Sequence, residues 1–203
     1  MDPHAITSLD ALEALYATPS ALVLNKVAAR LDAPTRAFLA ASPFLLLGTM
    51  GEHGPHVTPR GDGPGFVEAP DDGTVVIPDR RGNNRLDGLR DILADDRVAL
   101  LFLVPGAGEA LRMHGRARIT TDPALRARHV AQGKEPTTLL VVRITSLYMQ
   151  CAKSVMRSRL WDGRARPPGL PTLGELLAAH TAGHFGGPAL DDAMPDIYER
   201  TMY

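Results

Sequence analysis

The chain has 203 residues, 22 basic and 23 acidic, for a formal charge of −1, so it carries no general positive field for a polyanion, and nucleic acid is not an expected main partner. A chain of this length fits one domain with extensions and buries roughly 70% of its unfolded surface on folding, without needing disulfides or a structural metal. Its single cysteine, Cys151, forms no internal disulfide, and with no apolar leader at Met1 the expected compartment is the cytosol.

Leu9, Leu12 and Leu15 recur at helical spacing, and Leu24, Val27, Ala28 and Leu31 do so again after Pro19, which predicts a helical extension over residues 1–42. From Phe44 the pattern turns to short β-rich runs: Phe44 to Met50, a Gly51-Glu52-His53-Gly54 turn, Pro55 to Arg60, Thr74 to Ile77 and Val98 to Val104. Turn residues between close runs predict hairpins and a mainly antiparallel sheet. The apolar run Val98 to Val104 is far short of the roughly 20 residues that cross a bilayer. It reads as a buried strand, and no membrane association is expected. A helix is predicted from Asn84 to Ala94, lying across the sheet with Leu86, Leu89, Ile92 and Leu93 on its apolar side. Strands resume over Ala110 to Thr120 and Thr138 to Met149, separated by a helix beginning near Pro123, where proline suits the first turn. The fold class is mainly β, of the α+β kind, and the strand count suits a closed or split barrel over residues 43–161. Residues 162–203 read as a Pro/Gly-rich segment, one short helix from Leu173 to His180 and a polar tail.

The most informative segment runs from Ile77 to Asp87: it leaves a strand, passes Gly82 and is expected to enter a helix that carries Asn84 and Arg85. A helix start offers free N–H groups and a positive dipole end to a phosphate, and Arg80 and Arg85 add charge-assisted hydrogen bonds. An asparagine cap with surface arginines is the alternative reading. Gly106-Ala107-Gly108 lacks the third glycine of a dinucleotide fingerprint, and no Gly-Lys-Ser/Thr triplet exists, so neither a Rossmann site nor a P-loop is expected. His180 and His184 stand four apart but lack the Glu of a zinc protease. No metal is expected. His53 and His56 read as turn residues, and Cys151 as a packed, inert thiol.

The runs from Phe44 to Asp62 and from Thr74 to Gly106, with Leu111 to Thr120, together resemble the FMN-binding split-barrel flavoproteins related to pyridoxamine 5'-phosphate oxidase. Within them, SPFLLLGT, PRGDGPGF, IPDRRGNNRLD and CAKSVMRSRLW are similar to a bacterial branch with a helical N-terminal extension. The resemblance covers about Leu9 to Trp161. It implies FMN at a homodimer interface, with Thr58 and Arg60 bordering the flavin and Pro78, Asp79, Arg80, Asn83, Asn84 and Arg85 along the ribityl phosphate. It further implies Lys153, Arg159 and Trp161 on the partner side, with Glu109 and Arg112 as weaker candidates. The C-terminal substrate and flavin motif of true pyridoxamine phosphate oxidases is not visible around Trp161-Asp162-Gly163. The expected function is therefore an FMN-dependent oxidoreductase acting on a small organic substrate or on a reduced nicotinamide or deazaflavin cofactor, with no catalytic acid or base named. A non-catalytic flavin-binding or storage protein and a split barrel holding another ligand, such as haem, are the alternatives.

Overall fold

The computed structural model describes residues 2–203. Seven strands, β1 (Phe44–Gly51), β2 (Gly54–Gly61), β3 (Glu68–Asp71), β4 (Thr74–Asp79), β5 (Arg97–Leu103), β6 (Ala110–Thr120) and β7 (Thr138–Gln150), form one sheet in the order β2-β1-β5-β6-β7-β4-β3. Every pairing is antiparallel, and the short turns joining β1 to β2, β3 to β4 and β5 to β6 make three of them hairpins. Alternate residues of each strand face inward. Leu45 and Leu47 of β1, Leu100 and Phe102 of β5, Leu111 and Met113 of β6, and Val75 and Ile77 of β4 are almost wholly buried in one core. The sheet curls strongly: edge strand β2 and strand β4, near the opposite edge, meet through an ion pair between Arg60 and Asp79. This is the split barrel with flanking helices that the sequence implies.

Three helices precede the barrel, α1 (Leu9–Glu13), α2 (Ala21–Asn25) and α3 (Ala33–Ala41). The sequence predicts helix through Leu24 to Leu31, but the chain leaves α2 at Asn25 and pairs Ala28 with Leu147 of β7 instead. Asp32 then caps α3, its carboxylate accepting from the Thr35 amide at 2.8 Å. Helix α4 (Asp87–Ala94) packs on β1, β2 and β6, and α5 (Pro123–Arg128) precedes β7. Helices α6 (Lys153–Ser158), α7 (Leu173–His180) and α8 (Pro188–Thr201) follow the barrel, with α7 and α8 packed together. Where a polar tail is expected, Pro188 at the first turn starts the 14-residue helix α8.

The start of α4 is the main correction. The sequence places Asn84 and Arg85 on the helix, but Asn84 and Leu86 adopt left-handed backbone angles, φ 60° and 62°, and the helix begins at Asp87. The Asn83 side chain accepts from the Arg85 amide at 3.1 Å, a local turn that competes with helical hydrogen bonding.

Candidate functional site

On β2 the side chains of His56, Thr58 and Arg60 share the half-buried face, while Pro55, Val57 and Pro59 point outward. Arg60 sends Nη1 to Asp79 of β4, and Asp79 stands opposite Thr138, the first residue of β7. Three buried polar atoms around this junction, Thr58 Oγ1, Arg60 Nε and Thr138 Oγ1, have no hydrogen-bond partner. Buried polar groups are nearly always paired, so these three are exceptions at the junction of β2, β4 and β7. Pro78, also on β4, is buried against Leu139.

Beyond Asp79 the chain turns into the segment that the sequence singles out. Arg80 is mostly committed to the protein: Nε donates to Asp62 Oδ2 at 2.6 Å and Nη1 to the His129 carbonyl at 2.5 Å, with the Tyr203 ring 6.0 Å from the guanidinium. Burial pushes the Asp62 carboxyl up, but hydrogen bonds from the Gly63 amide, the Tyr203 hydroxyl and Arg80 outweigh it and hold the group below the ordinary carboxylate range. The same bond to Asp62 pushes the Tyr203 phenol up. Arg80, Arg81 and Asn84 line a cavity of about 380 Å³ with Lys134, Glu135 and Tyr203, where Lys134 Nζ donates to the Tyr203 carbonyl at 2.8 Å. Arg85 is 75% exposed, and its Nε donates to Asp87 Oδ2 at 2.8 Å. Its guanidinium therefore neutralises the first-turn carboxylate of α4 rather than standing free at a helix start.

The structure thus brings Thr58, Arg60, Asp79 and Arg80 together, with Asn83, Asn84 and Arg85 on the adjoining loop. It leaves Lys153, Arg159 and Trp161 apart from them within one chain. Lys153 and Arg159 are exposed at the two ends of α6, and the Trp161 indole donates to the Ala107 carbonyl at 2.7 Å. Glu109 is exposed, and Arg112 Nε donates to His114 Nε2 at 3.2 Å. Sequence reasoning missed Thr138, Lys134 and Tyr203, which reach the site only through strand register and chain return.

Two residue expectations are corrected. His56 is no mere turn residue: its Nδ1 lies 2.6 Å from Oδ2 of Asp91 on α4, which also accepts from the Thr49 hydroxyl at 2.7 Å. Cys151 is exposed rather than packed, because β7 ends at Gln150 and the thiol falls at the junction with α6. His180 and His184 are exposed, and among the described residues no three His, Cys, Asp or Glu side chains converge to hold a metal ion.

The family model for pyridoxamine 5'-phosphate oxidase matches residues 31–151, more than half of the chain. The chain belongs to this family. The match begins just before α3 and ends just beyond β7, so it spans the whole barrel and leaves α1, α2 and the helices after β7 outside. No curated protein matches the chain. Among solved structures, the chain is similar to HupZ from Group A Streptococcus, with 13% identity over 58% of this chain and 91% of that one and a TM-score of 0.48. It is also similar to a putative pyridoxamine 5'-phosphate oxidase from Lactobacillus delbrueckii, with 16% identity over 60% and 95% and a TM-score of 0.47. An FAD-binding protein from Mesorhizobium loti shares 15% identity over 61% and 96%, with a TM-score of 0.41. No helix among the described residues is long and apolar enough to cross a membrane.

Proposed function

We propose that this chain is a cytoplasmic FMN-dependent oxidoreductase that works as a homodimer on a small organic substrate, or on a reduced nicotinamide or deazaflavin cofactor. The observation that carries the proposal is the pair of unpartnered buried atoms Thr58 Oγ1 and Arg60 Nε on the wall of a barrel of this family. A flavin nucleotide presents ring, hydroxyl and phosphate acceptors to such donors. Arg60 is oriented by Asp79, which fixes the direction of its remaining N–H groups. Arg80, Asn84 and Lys134 around the adjoining cavity suit the phosphate end. Lys153, Arg159 and Trp161, apart from the cluster in one chain, close the ring side from the partner. Bound FMN supplies the electron-transfer chemistry, while the chain binds it, orients it and limits water.

The test is direct. Protein purified under native conditions is expected to be yellow and to release FMN on denaturation. Release of FAD overturns the choice of mononucleotide, a haem Soret band overturns the flavin reading, and colourless protein that takes up no added FMN overturns both.

A further inference from the structure

We propose that the outer face of β4, β6 and β7 binds a small oxyanion carrying two or more negative charges, of the pyrophosphate class, through Arg116, Arg118, Arg128 and Arg143. Strand register builds the site. Arg143 of β7 stands directly between Thr74 of β4 and Arg116 of β6, and in the next outward row Val141 stands between Val76 and Arg118. Arg128, in the last turn of α5, lines the same groove. The groove holds about 550 Å³, a size that suits a small molecule.

The charge there is uneven. The whole chain is close to neutral, at −1, yet four arginines line this groove against two aspartates, Asp71 and Asp96. Two of the arginines are engaged: Arg116 Nη1 donates to Asp96 Oδ1 at 2.6 Å, and Arg128 Nη2 to Glu68 Oε1 at 2.9 Å. Asp71 Oδ1 instead accepts from the Gly73 amide at 2.7 Å, within the turn from β3 to β4. Arg118 and Arg143 are exposed, and among the described residues neither forms an ion pair.

Like charges directly opposite on neighbouring strands repel, so the pairing of Arg116 with Arg143 weakens the folded chain until an anion sits between them. The floor strengthens that attraction. Val76 is buried beneath the groove, and an apolar wall concentrates the field of the charges set above it. Guanidinium groups bind phosphate oxygens through paired N–H donors, and two free arginines on adjacent rows suit a ligand with two phosphate groups. The site is separate from the junction at Arg60. Thr74 opens β4 and Asp79 closes it, so the groove lies about 17 Å along the strand from the ion pair between Arg60 and Asp79.

Inorganic pyrophosphate is titrated into the full chain by calorimetry at low ionic strength, with sodium chloride of matched ionic strength as the blank. Saturable binding is expected, and Arg118→Gln combined with Arg143→Gln is expected to weaken it about tenfold or more. Without titrant, the same double variant is expected to unfold at the parent's temperature or above it, because the repulsion is gone. No saturable binding, or binding that survives the double substitution, overturns the proposal. So does a lower unfolding temperature, which would give the two arginines a structural role. Loss of binding in Arg81→Gln combined with Lys134→Gln, but not in the groove variant, would put the anion in the other cavity and also overturns it. Adenosine diphosphate as a second titrant distinguishes the sources of the ligand: binding about tenfold tighter than pyrophosphate names a nucleotide, and equal or weaker binding names the free anion, in both cases through the same arginines. A single-stranded RNA oligomer that outcompetes pyrophosphate there overturns the small-ligand class. The titrants contain no flavin, so this inference and the flavin reading fail separately.

Discussion

Asp91 joins three elements through one carboxylate. Only 8% of its side chain is exposed, yet it accepts from Thr49 of β1 and from His56 of β2 while sitting on α4. Gly51 completes the site, because a Cβ there would overlap the Asp91 carboxylate. Removing the acceptor leaves a buried hydroxyl unsatisfied, so Asp91→Ala is expected to lower stability by about 2–3 kcal/mol, read as a fall in denaturant midpoint. Burial raises the Asp91 pKa, but the bonds from Thr49 and His56 and the charges of His56 and His53 outweigh it and set it below the ordinary 3.8. A depressed carboxylate binds fewer protons in the folded state, so its contribution is present above pH 3.8 and is lost as pH falls through the folded pKa. Asp91→Asn should therefore flatten the acid limb of stability against pH; an unchanged limb would place the acid sensitivity elsewhere. Arg85 offers the corresponding test of the ligand site. With 75% of its side chain exposed, Arg85→Ala should leave stability within about 0.5 kcal/mol of the parent. If Arg85 leaves Asp87 for the phosphate, the same change weakens FMN binding about tenfold to a hundredfold and riboflavin binding far less. Small effects of Arg85→Ala in both titrations would remove Arg85 from the site. The sequence displays Arg80 and Arg85 plainly, since a charged cluster between a strand and a helix is a local signal, whereas Arg60, inside β2, enters only through the family resemblance. It hides Thr138 and Tyr203, whose place depends on contacts across the fold.

At the level of elements, local chemistry accounts for what sequence reading captures. Proline at a first turn marks α5, and short apolar, β-rich runs bounded by turn residues mark β1, β5, β6 and β7. Helix α7 is found where the leucines place it, held by a Thr172 to Glu175 capping box. Strand β3 is missed because Glu68-Ala69-Pro70-Asp71 has neither alternation nor β-branched residues; its pairing with β4 depends on tertiary structure. The start of α4 is misplaced because the Asn83 side chain and two left-handed residues delay the helix by about one turn, a choice that apolar periodicity does not record. The bulge between β6 and β7 at His114/Gly115 is likewise silent in sequence. There a Cβ on Gly115 would lie 2.5 Å from Val142 Cγ1 and 2.6 Å from the Arg143 carbonyl. Backbone on one side leaves no cheap relief, so Gly115→Ala is expected to cost about 1–3 kcal/mol in thermal or chemical unfolding. A variant as stable as the parent would mean that the bulge relaxes.

For the molecule as a whole, the barrel is legible from its strands, whereas assembly depends on surfaces that a single chain leaves open. Trp161 is the only tryptophan and is half-buried beside Ala107. If it closes over a flavin ring from the partner, titrating FMN into protein freed of its ligand should quench tryptophan emission, and unchanged emission would move it away from the site. The edges of the sheet limit the ways in which copies can meet. Strand β2 pairs only with β1, and its prolines, Pro55 and Pro59, leave that ladder intact only where their nitrogens face away from β1. The outward row then consists of Pro55, Val57, Pro59 and Gly61, of which two have no N–H to offer. A strand arriving at this edge meets a gap at every second donor, so β2 is a poor template for fibrillar growth or for a continuous sheet between molecules. Association is thereby directed to the faces of the barrel, where shape and side-chain chemistry, rather than backbone, choose the partner.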